Sequence, residues 1–344
     1  MFKKILYFIV ISFIIFVMIG FLLPRQVHVE RSIEIARPTT TVFMLLNGFD
    51  NFESWSPWVE RDPDAEYQYD GPESGVGARM SWSGDPRMVG TGWQEITESR
   101  PYSLVRMHLD FDQQGKAEAY FQIDRAQSGT LLTWGFDTDL VEGQGIFGGL
   151  LARYFGLFFD KWIGTDYEQG LANFKRFAES LPASDFMGLE LEIVEVEPMD
   201  ILFVASNSSR ESSDIASSLA MAYREITSFM AATGIEMTSQ PMTITRAWNE
   251  SGFEFDAAIP VEMQEVELSG NIQAGQSPAG RAVRLVYRGA YDQMGPSYEK
   301  LAAYMAAHGL KEGPVSWEHY ISDPGVTPTE EVITHIYFLI DDES

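Results

Sequence analysis

Near the C-terminus, the run Ser316-Trp317-Glu318-His319-Tyr320 offers the most promising chemistry in the chain. Read as a strand it alternates, which puts Glu318 and Tyr320 on one face and Trp317 with His319 on the other. A carboxylate held beside a phenol in an apolar groove favours a cation and rejects an anion. On a face open to water, Glu318 is instead an ordinary solvated strand residue. Tyr287, Tyr291 and Tyr298 add possible aromatic walls, and Trp248 holds an analogous place in the preceding stretch. Each of these aromatics alone is equally at home in a sheet–helix core. The candidate ligand contacts of this half are Glu318, Tyr320, Trp317, Tyr287, Tyr298 and Trp248.

A second set lies in the N-terminal half, where Trp55, Trp58, Trp82, Trp93 and Trp134 are dense. Ala78, Met80 and Trp82 share one strand face, and Arg106 shares another with His108. An apolar cavity with one or two polar groups suits a lipid or polyketide-like molecule, which makes Trp82, Met80, Trp93 and Arg106 candidates. Plain core is the competing account of the aromatics. Arg106 and His108 would each need a partner or a ligand if turned inward, because an unpaired buried charge is costly.

Much chemistry is excluded. The chain has no cysteine, so disulfides and thiolate sites are out. Its histidines, His28, His108, His308, His319 and His335, are scattered without metal-ligand spacing. There is no G-x-S-x-G elbow and no Walker A loop. Gly143, Gly145 and Gly148 match G-x-G-x-x-G formally, but no parallel βαβ unit surrounds them. The acidic group Asp62, Asp64, Glu66 and Asp70 lacks EF-hand spacing and reads as a solvated loop. No metal and no cofactor is expected.

The elements that must position these residues begin with Ile5–Leu23, an uncharged apolar run long enough to cross a bilayer as one transmembrane helix. Lys3 and Lys4 precede it and Pro24 and Arg25 follow. No small-residue cleavage site is present, so residues 1–25 read as an uncleaved anchor. A cytoplasmic N-terminus at the bacterial inner membrane, with the domains extracytoplasmic, is the expected orientation. The formal net charge of −26 over 344 residues repels phosphate backbones and attracts cations, so nucleic acid is not an expected partner. Residues 26–182 open with a strand from Val27 and a helix over Pro38–Gly48, capped by one of Thr39, Thr40 and Thr41. Strands follow at 78–83, 90–97, 103–111, 117–124 and 130–137, and one long helix over 146–181 closes the domain. Residues 188–344 repeat a β-α-β-β unit. One copy has a strand over 189–205, a helix over 213–233 and strands at 242–247 and 253–259. The other has a strand over 282–289, a helix over 295–308 and strands at 315–321 and 332–339. Residues 268–280 join the copies. The fold class is α+β throughout.

Two resemblances follow. The stretches VHVERSIEIARPTTTVFMLL, FDNFESWSPWVERDPDAEYQYDGPESGVGARMSWSG and LARYFGLFFDKWIGTDYEQGLANFKRFAE resemble the polyketide cyclase/START-like superfamily. That likeness implies a helix-grip antiparallel sheet with a cavity between sheet and helix. The stretches YRGAYDQMGPSYEKLAAYMAAHG, WEHYISDP and EVITHIYFLI resemble the GyrI-like, or AraC effector-binding, domain. That likeness implies a groove for hydrophobic, often cationic, compounds, with the acidic contact at Glu318; no DNA-binding helix pair accompanies it here. The expectation is a membrane-anchored binding protein for hydrophobic, possibly cationic, small molecules, acting in sensing, buffering or delivery. The alternatives are a hydrolase or cyclase using Glu318 and Tyr320, and a protein-interaction module that would present an open apolar patch.

Overall fold

The computed structural model describes residues 2–112 and 115–341. The chain divides into two compact units, Met1–Asp185 and Phe186–Ser344. Each is α+β with one antiparallel sheet.

The first unit begins with α1 (Phe2–Leu22), long and apolar enough to cross a membrane. Then come β1 (Gln26–Ile35), α2 (Thr39–Leu46), α3 (Pro57–Arg61), β2 (Glu66–Asp70), β3 (Arg79–Ser83), β4 (Thr91–Arg100), β5 (Leu104–Asp110), β6 (Lys116–Ala126) and β7 (Gly129–Asp139), followed by α4 (Ile146–Gly156) and α5 (Phe159–Ser180). The seven strands run in the order β1-β7-β6-β5-β4-β3-β2, so the chain's first and second strands form the two edges. Helix α5 lies across the sheet because Tyr167, Leu171, Phe174 and Ala178 recur at helical spacing and are all buried. Trp134 stacks on Tyr167 with ring centroids 3.9 Å apart, and Trp55 sets its edge against Trp134, Phe121 and Phe174. Gly170 lets helix and sheet approach: a Cβ there would lie 2.7 Å from the Trp134 ring.

Three local expectations are corrected here. The helix expected over 146–181 is two, because the chain turns at Leu157 and Phe158 between α4 and α5. The cap of α2 is Pro38, whose fixed φ suits a helix start. Thr39, Thr40 and Thr41 are buried inside the helix, and the Thr40 hydroxyl donates to Asp185 at 2.9 Å. Glu66 and Asp70, expected in a solvated loop, bound the short, largely exposed edge strand β2, in which Tyr67 and Tyr69 alternate with polar residues.

The second unit contains β8 (Leu191–Val196), β9 (Asp200–Ser208), α6 (Ser212–Thr233), β10 (Met242–Asn249), β11 (Gly252–Pro260), β12 (Ile272–Gln276), β13 (Gly280–Arg288), α7 (Gly295–Ala307), β14 (Glu312–Tyr320) and β15 (Ile333–Ile340). The strand expected over 189–205 is interrupted by Glu197-Pro198-Met199. Its two parts separate widely: β8 pairs with β13 at one edge, while β9 pairs with β11 and β12 near the other. Proline cannot donate to a ladder, which explains the break. The joining segment 268–280 holds β12 rather than only loop.

The sheet order β12-β9-β11-β10-β14-β15-β13-β8 reveals the tandem β-α-β-β repeat. β9-α6-β10-β11 and β13-α7-β14-β15 are mirrored about the centre, where β10 and β14 pair. Helix α6 buries Ala222, Ile226 and Phe229 on the first half, and α7 buries Leu301 and Met305 on the second. The opposite face carries its own apolar cluster, including Met242, Ile244, Trp317 and Tyr337.

Phe174 is 1% exposed at the centre of the first core. Phe174→Ala is expected to cost about 3–5 kcal/mol, read as a lowered midpoint of chemical denaturation for the first unit.

Candidate functional site

The central strand pair of the second unit positions one carboxylate. In the β10–β14 register Thr243 faces Glu318, with Met242 opposite His319 and Ile244 opposite Trp317. The Glu318 side chain points toward the helix-bearing face. Tyr298 of α7 donates its hydroxyl to Oε1, and Tyr320 donates to Oε2 at 2.6 Å. The Tyr320 oxygen also lies 2.8 Å from Thr243 Oγ1, which is 3.1 Å from the Tyr223 hydroxyl of α6. Tyr223 in turn donates to the Met242 carbonyl at 2.8 Å. Tyr291 sets its ring edge-on to Tyr320, 5.3 Å between centroids, and remains partly exposed at the rim. One continuous polar network therefore runs from α7 across the strand pair to α6.

Burial pushes the Glu318 carboxyl above the usual carboxylate range, and the two phenol hydrogen bonds oppose this only in part. The phenols of Tyr298 and Tyr320 are raised well above their ordinary value, first by burial and then by the neighbouring carboxylate, so both remain donors at neutral pH. Two phenols occupy two of the roughly four acceptor positions of a carboxylate. No lysine, arginine or histidine forms an ion pair with Glu318 among the described residues.

The other candidates of this half separate. Trp317 lies on the reverse face, stacked on Tyr337 with centroids 4.7 Å apart, as the alternation requires. Tyr287 donates its hydroxyl to the Ala290 carbonyl at 2.8 Å and packs beside α7. Trp248 is exposed, against Phe253 and beneath the Arg210 guanidinium. Tyr223 and Thr243 escaped the sequence reading. Their link to Glu318 depends on the pairing of β10 with β14, which no local spacing encodes.

The first unit holds a cavity of about 420 Å³ between sheet and helix. Met80, Trp82, Trp58, Tyr67, Phe111 and Phe159 form much of its wall. Polar side chains share the lining, among them Lys116, Thr138, Asp139, Glu142 and Gln144. Gln94 lines it, as does Asp166, which accepts from the Trp58 indole at 3.3 Å and pairs with Arg61. Trp93 and Arg106 lie elsewhere. Arg79 covers the Trp93 ring, which also approaches His108. Arg106 is half-buried over Tyr120 and pairs with Glu98 and Glu118, so its charge already has partners. In the acidic group, Asp62 is buried and accepts the Asp85 backbone N–H at 2.7 Å; no cluster suited to a metal occurs among the described residues.

Each of these two α+β units matches a family of small-molecule-binding domains. Residues 26–179 match the family described as polyketide cyclase / dehydrase and lipid transport, and residues 189–341 match the GyrI-like small molecule binding domain, so the chain joins one of each in that order. No curated protein matches the sequence. Among solved structures, the chain is similar to a hydrolase from Listeria innocua at 11% identity, covering 45% of this chain and 95% of that one, with a TM-score of 0.34. It is similar to the C-terminal domain of EcmrR at 19% identity, 45% and 99% coverage and a TM-score of 0.39. It is also similar to StfQ, a di-domain ARO/CYC protein of the steffimycin biosynthetic pathway, at 14% identity, 45% and 52% coverage and a TM-score of 0.34.

The raised Glu318 carboxyl makes stability depend on pH in a definite direction. The folded state holds this proton more tightly than the unfolded chain, whose carboxyl sits near 4.5. Its contribution is complete below that value and is lost as pH rises through the folded-state pKa. Comparing thermal midpoints of the native chain and Glu318→Gln across this range should show the native chain losing ground to the variant as pH rises. Parallel pH profiles would contradict the assignment.

Proposed function

We propose that the chain is a membrane-anchored binding protein whose second domain takes hydrophobic cations at Glu318 and whose first domain takes an apolar molecule in its cavity. The carrying observation is the half-buried carboxylate at the centre of the second sheet, surrounded by phenols and without a basic partner among the described residues. A desolvated carboxylate in that setting is stabilised by a cation that brings its charge inside, and the ring faces of Tyr291 and Tyr320 add attraction for it. An anion meets repulsion there. The strongly negative whole-chain charge raises the local concentration of such ligands. The first cavity falls in the size range of small-molecule sites, with a largely apolar wall into which polar side chains such as Gln94 and Asp166 are set. Helix α1 supports attachment to a bilayer, and a role in sensing, buffering or delivery of lipid-partitioning compounds follows from two such domains on one anchored chain.

The test is a binding titration of the full chain in detergent with tetraphenylphosphonium and with neutral triphenylphosphine oxide. Glu318→Gln should weaken the cation by at least tenfold, about 1.4 kcal/mol, and leave the neutral compound nearly unchanged. Equal loss for both compounds, or no loss for either, would remove Glu318 as the cation-selecting group.

A further inference from the structure

We infer that α4 is itself a membrane element, seated in the bilayer surface beside α1, so that the first-domain cavity opens onto lipid. This deepens the proposed function and rests on its reading of α1 as a membrane span.

Four observations converge on α4. The first is charge. In a chain with 50 acidic residues, the stretch from Gly143 to Phe159 contains none, and Arg153 is its sole charged residue. The second is exposure. Of the ten exposed large hydrophobic residues among the described residues of the first unit outside α1, seven fall between Ile146 and Trp162, with Phe147 74% exposed. A contiguous apolar surface of this kind marks an interaction site rather than ordinary protein surface.

The third is position. Gly20 is the only buried residue of α1, and a Cβ there would collide with Leu150 and Tyr154 of α4. Phe16 stacks on Tyr154, 4.4 Å between centroids, and the Tyr154 hydroxyl donates to the Phe16 carbonyl at 2.6 Å. Arg153 donates to the carbonyls of Phe21 and Leu23 at 3.0 and 2.8 Å. These contacts hold α4 against the last turns of α1. Phe16 to Leu23 spans about 10 Å of helix rise, and interfacial helices sink roughly 5–10 Å into the boundary between headgroups and acyl chains. The depth implied by the α1 contacts and the depth suited to an interfacial helix agree. Arg153 then caps the carbonyls at the end of α1 at headgroup level, where a long basic side chain keeps its charge wet. Trp162, in the first turn of α5, has the character of an interfacial anchor.

The fourth is the cavity mouth. Ala152 and Phe155 of α4 line the cavity together with Phe159 and Ile163 of α5 and Leu140 of the preceding loop. Phe155 is 58% exposed and yet lines the cavity, so it stands at the opening. The opening therefore borders the apolar patch through Phe155, with the exposed Lys116, Glu142 and Gln144 also on the lining. The occupant of the patch is the hydrocarbon edge of the bilayer, because α1, which would enter that bilayer, is packed on the same helix. The molecule admitted is one dissolved in the membrane, entering sideways without crossing water.

The cysteine-free sequence makes the test direct. Single-cysteine variants of the full chain, Phe147→Cys, Leu151→Cys and Phe158→Cys, would carry an environment-sensitive fluorophore in phosphatidylcholine–phosphatidylglycerol vesicles. Ile14→Cys in α1 and Ala172→Cys on exposed α5 serve as lipid and water references. Labels at 147, 151 and 158 should lose emission to nitroxide-bearing lipid as the label at 14 does, and should resist iodide, while the label at 172 does the reverse. If 147, 151 and 158 follow 172 while 14 remains in lipid, the inference fails and the anchor stands. Labels shielded from both quenchers would assign the patch to a protein partner and overturn it equally. An iodide-accessible label at 14 would instead remove the anchor, and the inference with it.

Discussion

The second domain is organised around the removal of one carboxylate from water. Glu318 sits on a strand hydrogen-bonded on both sides, so its backbone position is fixed by the sheet rather than by a loop. Desolvation of such a group is costly unless hydrogen bonds or charge compensate for it. The compensation here comes from phenols on two elements, Tyr298 on α7 and Tyr320 on β14, and extends through Thr243 to Tyr223 on α6. The polar network thus ties both helices to the strand pair at the centre of the repeat, where the two halves must meet correctly for it to exist. Each donor has a partner, which makes a buried network specific instead of merely expensive.

The first domain solves a different problem with similar materials. Its aromatic residues divide between those that close the core and those that leave a space. Trp55, Trp134, Tyr167 and Phe174 interlock where Gly170 allows the helix to approach. Toward the other end of α5, Trp58 of α3, Tyr67 and Trp82 of the sheet and Phe159 of α5 line a cavity instead. A single amphipathic helix therefore serves as packing element and cavity wall along its length.

Much of this architecture was legible in the residues. The apolar run at the N-terminus, the strand alternation and the tandem β-α-β-β repeat all follow from periodicity, which reports faithfully on elements with one buried face. The pairing of Glu318 with Tyr320 followed from strand alternation alone. Three kinds of feature were not legible. Pro198 divides one apolar run into two strands at distant places in the sheet, and only the full set of strand pairings decides where each part goes. The turn at Leu157 and Phe158 lies within a continuous apolar stretch that local pattern reads as one helix. Tyr223 and Thr243 join the site through register, a property of two strands rather than of either sequence. Arg106 and Trp93 were plausible pocket residues by composition, but the face of the strand on which they fall gives them ion-pair and cation–π partners instead.

The placement of Glu318 mid-sheet has a consequence for how the second domain can diversify. Its charge is carried by the stiffest part of the unit, whereas the surrounding walls come from α6, α7 and the rim around Tyr291, elements joined to the sheet by side chains. Substitutions on those helices can change the shape and breadth of the space without moving the charge. Under the proposed function, such a division of labour would permit a repertoire of dissimilar guests that share only a positive centre, and would let that repertoire drift while the preference for positive charge stays constant.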